Sequence, residues 1–231
     1  MTATTTPRRA SKAKRTTKPA RAARAAAVDL PPHPTRGRKL PAEILDDAEV
    51  EALLRACSMR SPSGLRDRAL IAFLAGSGLR ISEALALRPC DVQREAGSVR
   101  VLHGKGDRSR TSAVAESALV LLDRWLDVRA GLGAKRSAPV FCCVSAGKVG
   151  GAMSASAVRQ MLARRRERAG IERRVHAHGL RHKHASDLVA RGLPLNVIGG
   201  QLGHAHASTT SLYVQRLNPR HVVEAVRSAL D

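Results

Sequence analysis

The run Gly76-Ser77-Gly78-Leu79-Arg80-Ile81-Ser82-Glu83-Ala84-Leu85 joins the end of one helix to the start of the next. Upstream of it, Leu70, Ile71, Phe73 and Leu74 belong to a helix expected over about 65–75. Gly76 and Gly78 end that helix, because glycine closes helices at low steric cost. Downstream, a short helix is expected around 82–87, stopped by Pro89. Arg80 opens this second helix with Glu83 three residues on, which puts opposite charges on one face.

Working outward, Asp46 and Glu49 have the spacing of a capping box, and Val50, Leu53, Leu54 and Cys57 then line one helical face. Residues 97–114 change period: Val99, Val101 and His103 alternate with Ser98, Arg100 and Leu102. Gly104-Lys105-Gly106-Asp107 supplies a turn, and 111–115 can return as the second strand of a hairpin. Helical patterns follow at about 116–129, 154–169, 179–191, 194–202 and from 208 to the end, with a break near Pro219; Val140-Phe141 is a candidate extra strand. The expected fold is mainly α with a small antiparallel β-sheet, in the α+β class.

Charge points to a partner. Forty Lys+Arg against nineteen Asp+Glu give +21, and such an excess favours a polyanion, nucleic acid being the usual one. Residues 1–40 carry eleven Lys+Arg against Asp29 and hold little to bury, so they are expected to form a disordered basic arm. Within it Arg8, Arg9, Lys12, Lys14 and Arg15 are the candidate DNA contacts. Composition becomes globular near Pro41, which sets the expected domain at 41–231. Cys57, Cys90, Cys142 and Cys143 show no disulfide framework and read as reduced, buried thiols of a cytoplasmic protein. No stretch approaches 18 apolar residues, so no membrane partner is expected.

The polar groups that the helices do not need form a set with one chemistry. Arg80, Lys105, His178, Arg181, His204 and Tyr213 comprise two guanidiniums, an ammonium, two imidazoles and the chain's sole phenol. Each alone has an ordinary explanation: an ion pair, a turn, a helix start, a core-edge tyrosine. Together they are the parts that metal-free DNA transesterification needs. Two arginines can fork onto a phosphodiester, a phenol can attack it, and a lysine or histidine can protonate the departing oxygen. Paired acids for a divalent metal and a P-loop are both missing from the sequence, so neither metal nor cofactor is expected.

The motifs resemble a known family. Gly76 to Leu85 resembles the first arginine box of the tyrosine recombinases, the phage-integrase and Xer-like family. Gly104-Lys105-Gly106-Asp107-Arg108-Ser109-Arg110 resembles their β-hairpin lysine motif. His178-Gly179-Leu180-Arg181-His182 resembles their HxLRH box, and Leu202-Gly203-His204 with Ser208 to Tyr213 resembles their last box. Order and spacing agree over roughly 41–231. The resemblance implies the recombinase catalytic-domain fold and a site-specific recombinase, integrating or recombining mobile or chromosomal DNA.

It also implies roles. Tyr213 is the nucleophile that forms a 3′-phosphotyrosyl link, and Arg80 and Arg181 clamp the non-bridging oxygens. Lys105 is the general acid, and His178 and His204 serve proton transfer and the phosphate. Glu83 orients Arg80, and Arg108 and Arg110 join the DNA contacts. Double-stranded DNA is the implied partner, at the nucleoid, with self-association from dimer to tetramer through a helix within Arg216–Asp231. Departures stand out as well: Lys183, His184 and Asp187 follow the HxLRH box, and no core-binding domain is evident before residue 41.

Other readings compete. A degenerate recombinase domain would leave an accessory DNA-binding protein. A topoisomerase-like activity would use the same tyrosine chemistry without pairing two sites. His176, His178, His182 and His184 could hold a metal with Cys142 and Cys143, although no CxxC or HExxH spacing occurs.

Overall fold

A computed structural model describes Met1, residues 44–102 and 109–203, and Arg227. The chain divides into residues 1–40 and 41–231, and every described element belongs to the second unit. The expectations for the arm (Arg8, Arg9, Lys12, Lys14, Arg15), for Lys105 and Arg108, for His204 and Tyr213, and for the C-terminal helix lie outside the described residues.

The elements run α1 (Asp47–Arg55), α2 (Pro62–Ser77), α3 (Ile81–Ala86), a 3-10 turn (Pro89–Asp91), β1 (Val92–Gln93), β2 (Ser98–Val101), β3 (Arg110–Ala113), α4 (Glu116–Gly131), α5 (Ala155–Arg168), α6 (Ala177–Ala190) and α7 (Leu195–Leu202). This is the expected mainly helical fold with a small antiparallel sheet.

Local chemistry sets the boundaries. Asp46 accepts from the Glu49 N–H while the Glu49 carboxylate accepts from the Asp46 N–H, so the capping box forms. α2 starts earlier than the apolar pattern indicated, because Ser61 caps the Gly64 N–H and Pro62 fits the first turn. Gly78 ends α2 at φ 65°, the left-handed conformation that glycine tolerates.

α2 is the central element, packed against α1, α4 and α6. Its apolar residues are therefore buried all round: Leu70, Ile71, Phe73 and Leu74 expose no surface. Gly76 lets α4 approach, since a Cβ there would lie 2.9 Å from the Ala118 Cβ. Trp125 on α4 is fully buried and its Nε1–H donates to Val140 O at 2.9 Å, which satisfies its one polar atom. A buried carboxylate, Asp67 on α2, takes Arg66 and Arg165, tying α5 to the core.

The sheet order is β1-β2-β3, antiparallel, with Val99 opposite Ser112 and Val101 opposite Arg110. Val99 and Val101 face the core and Arg100 faces out, as alternation requires. The returning strand is Arg110–Ala113, starting one residue and ending two residues earlier than expected. β1 was not foreseen, because two residues are too few to show a period.

Three expectations are corrected. Val140-Phe141 form no strand; the local pairing is an isolated bridge from Cys142 to Ala152, and Val140 N–H instead bonds Leu87 O at 2.7 Å. Phe141 is buried there against Phe73, at 5.5 Å between ring centres. Cys90 is exposed rather than buried, because it sits on the 3-10 turn and not inside a helix. Cys143 is only half-buried.

Candidate active site

Two helix ends and one helix start build the site. Gly78, at the end of α2, leads through Leu79 into Arg80, the extended residue before α3. The Arg80 N–H donates to Glu83 Oε2 and its Nη1 to Oε1, both at 2.9 Å. Glu83 thus caps α3 and holds the arginine side chain with the same carboxylate. Arg80 Nη2 donates to Gly203 O at 3.1 Å, at the end of α7.

Arg181 lies one turn into α6 and is 2% exposed. Its Nη1 donates to Gly78 O at 2.6 Å and its Nη2 to Leu202 O at 2.7 Å. Both acceptors sit at helix C-termini, where backbone dipoles concentrate negative potential and favour a cation. One guanidinium therefore links the ends of α2 and α7, and its plane is fixed by those bonds. Gly203 matches Gly78: it ends α7 at φ 65°.

His178, in the first turn of α6, is exposed and meets His182 edge-on at 4.2 Å between ring centres. His176 caps α6 by accepting the Gly179 N–H on Nδ1 at 2.8 Å. Burial and the charge of Arg174 push its pKa below the usual histidine value, so it serves as a neutral cap. Arg80, His178 and Arg181 line one cavity of about 300 Å³ together with Ser82. Arg159 on α5 and His178 share the lining of a second, apolar cavity of about 200 Å³.

Glu83 is nearly inaccessible, with a side chain 3% exposed. Burial pushes its carboxyl up, but hydrogen bonds from Arg110 and Arg80 outweigh burial and hold it at about 2. It is a charged counter-ion at every working pH.

Sequence reasoning missed several contributors. Arg110, named in the sequence only as a candidate DNA contact, forks onto Glu83, Nη1 to Oε1 at 3.0 Å and Nη2 to Oε2 at 2.8 Å. Its place on β3 opposite Val101 turns it toward the interior. Gln201 was not noticed at all. Its Nε2 donates to Ser77 O and Ala113 O, and its Oε1 accepts from Ala113 N–H, so it joins α2, β3 and α7 behind the two arginines. No short motif signals a glutamine in that role.

The departures after the HxLRH pattern are packing features. Lys183 is 7% exposed and pairs with Asp187 on its own helix and with Asp47 on α1. Burial opposes its charge, but the two aspartates raise its pKa above the usual lysine value. His184 Nδ1 lies 3.0 Å from Ala75 O, and burial lowers its pKa, which favours a neutral ring donating to that carbonyl. Among the described residues no group of three or more His, Cys, Asp or Glu is placed to hold a metal ion. Among them, too, no helix is long and apolar enough to cross a membrane.

Comparison with known proteins bears on this geometry. The pattern of the Phage integrase family matches residues 43–220. Tyrosine recombinase XerD of Ralstonia nicotianae is 37% identical over 182 residues, covering 77% of this chain and 58% of that protein. Tyrosine recombinase XerC of Xylella fastidiosa is 41% identical over 176 residues, covering 76% of this chain and 56% of that protein. The chain thus spans a little over half the length of these relatives. Among solved structures, XerA recombinase superposes with a TM-score of 0.68 at 27% identity, over 81% of this chain and 65% of that one. XerH site-specific recombinase, bound to palindromic difH substrate in a post-cleavage complex, superposes with a TM-score of 0.66 at 28% identity, over 83% of this chain and 54% of that one.

Proposed function

Because the chain belongs to the phage integrase family and has the tyrosine recombinase catalytic-domain fold, we propose that it is a site-specific DNA recombinase, cutting and rejoining strands through a covalent link to Tyr213. The observation that carries this reading is the shared cavity of Arg80, His178 and Arg181. Residues about a hundred positions apart converge on a space of about 300 Å³, lined by two cations and an imidazole.

That arrangement suits a phosphodiester. Arg80 and Arg181 bind the non-bridging oxygens, where charge grows as the phosphoryl group transfers. Their remaining bonds, to Glu83 and to carbonyls at the ends of α2 and α7, hold them in place before DNA arrives. Tyr213 attacks phosphorus, the 5′-oxygen leaves with a proton from Lys105, and a 3′-phosphotyrosyl bond forms. His178 and His204 assist at the tyrosine proton and the phosphate. Rejoining reverses the step with the 5′-hydroxyl of another strand, so the phosphodiester bond energy is kept in the protein–DNA link. Neither ATP, metal nor another cofactor is required by this sequence of steps.

Double-stranded DNA is the substrate, gripped by the basic arm over residues 1–40 and by Arg108. Two to four protomers assemble on it, with the segment after Tyr213 docking on a neighbour. Work of this kind places the protein in the cytoplasm, at the nucleoid. The test is a trapping experiment on a library of nicked duplexes with randomised target sequence, run on a denaturing gel. A shifted covalent band that Tyr213→Phe abolishes supports the reading. No band from the unaltered protein, with DNA binding intact, favours an accessory DNA-binding protein instead.

A further inference from the structure

We propose that Arg110 is a positioning residue for Arg80: it takes up the charge of Glu83 so that Arg80 keeps its own for the phosphate. The proposal rests on the recombinase reading above. Glu83 faces two guanidiniums, Arg80 from the cavity side and Arg110 from β3. The bidentate fork from Arg110, at 2.8 and 3.0 Å, is the stronger geometry; Arg80 gives Glu83 one side-chain bond and one backbone bond. The triad carries a net +1. Without Arg110 it would be neutral, and a carboxylate 3% exposed would direct its whole field at Arg80.

Exposure grades in the same direction. The side chain of Glu83 is 3% exposed, that of Arg110 14% and that of Arg80 30%, and of these three Arg80 is the one that lines the cavity. The fold makes room for this arrangement at Gly203. A Cβ there would come within 2.6 Å of Arg110 Cζ, so the guanidinium lies flat on a bare backbone. The Gly203 carbonyl in turn receives Arg80 Nη2. The two arginines are thus seated against one residue and one carboxylate, and the fork fixes the plane in which Glu83 presents Oε1 to Arg80.

The experiment measures single-turnover formation of the covalent adduct by the full chain, alongside DNA affinity. The variants are Arg110→Gln, Arg110→Lys and the double variant Arg110→Gln with Glu83→Gln, each checked for folding by its thermal melt. Loss of a directly contacting charge stabiliser costs about 10²–10³ in rate, so an indirect one is expected to cost about tenfold to a hundredfold. Arg110→Gln should slow cleavage by that factor with DNA affinity unchanged. The double variant should recover part of the loss, because Glu83→Gln removes the charge that captures Arg80 while its amide oxygen can still accept from Arg80. Arg110→Lys, which keeps the charge but not the fork, should fall between the parent and Arg110→Gln. A scissile methylphosphonate, which has lost one phosphate charge, should shrink the Arg110→Gln defect.

Cleavage unchanged in Arg110→Gln overturns the proposal, as does a double variant no faster than the single one. Weaker, less salt-dependent DNA binding with normal cleavage of the bound complex overturns it in favour of a phosphate contact. If the unaltered chain forms no adduct at all, the recombinase reading fails first, which is a separate result.

Discussion

Replacing Gly78 by alanine perturbs the site's framework at one atom. At φ 65° any L side chain is strained, by about 1–2 kcal/mol. The added Cβ would also lie 2.5 Å from His184 Cδ2 and 2.8 Å from Leu202 Cδ2, against an optimal separation of about 3.5–4.0 Å. Forcing a methyl into a packed site costs a further ~1–3 kcal/mol. Gly97 provides the control, since it has φ 60° and nothing within 4 Å of its would-be Cβ. Gly97→Ala should therefore cost only the backbone strain, and Gly78→Ala should exceed it by about 1–3 kcal/mol. Urea unfolding at equal m-values measures both. Because Gly78 O accepts from Arg181, Gly78→Ala should also depress adduct formation, which Gly97→Ala should not. Equal destabilisation of the two variants would refute the reasoning, by showing that His184 and Leu202 move aside without cost.

Other perturbations have defined signs. The Glu83 carboxyl is held at about 2 against an ordinary 4.5, so its contribution, on the order of 3 kcal/mol, is complete above pH 4.5 and lost as pH falls toward 2. Glu83→Gln should therefore flatten the acid limb of a stability-versus-pH curve; an unchanged limb would contradict the pairing. His184, whose pKa burial lowers, stabilises the fold fully above pH 6.5 and progressively less as pH falls below it, which an NMR titration of its ring against the melting temperature can check. Asp67→Ala strands Arg165 and Arg66 in a half-dry interior and should cost about 3–5 kcal/mol by denaturant unfolding. Deleting residues 1–40 should weaken DNA binding and reduce its dependence on salt, since released counterions scale with phosphate contacts. An unchanged salt slope would mean the arm touches no phosphates.

Much of this architecture could be read from residue order because the signals are local. The Asp46–Glu49 box, the closure at Gly78 and the alternation at Val99 and Val101 each depend on a few neighbouring residues. Arg80 and Glu83 were legible as a pair because three residues make a turn of helix. What was not legible is long-range. Nothing near Arg110 in the chain announces that its partner is Glu83, 27 residues earlier. Gln201 likewise has meaning only once α2, β3 and α7 meet. Lys183 stood in the sequence only as a departure from the family pattern, because its partner Asp47 lies on a helix far upstream. Val140-Phe141 misled because an apolar pair fits a strand and a buried loop equally well. His176 went unnoticed as a cap because histidine is uncommon there, although its Nδ1 accepts as a carboxylate would.

The most direct test of the central claim is to identify the amino acid that carries the DNA. The covalent complex is formed in the presence of a metal chelator, digested with nuclease and protease, and the nucleotide-bearing peptide is sequenced by mass spectrometry. The account predicts a 3′-nucleotide on Tyr213, formed at undiminished rate in the chelator and lost in Arg80→Ala and Arg181→Ala variants that still bind DNA. A link to any other residue, or full adduct formation without those arginines, would contradict it.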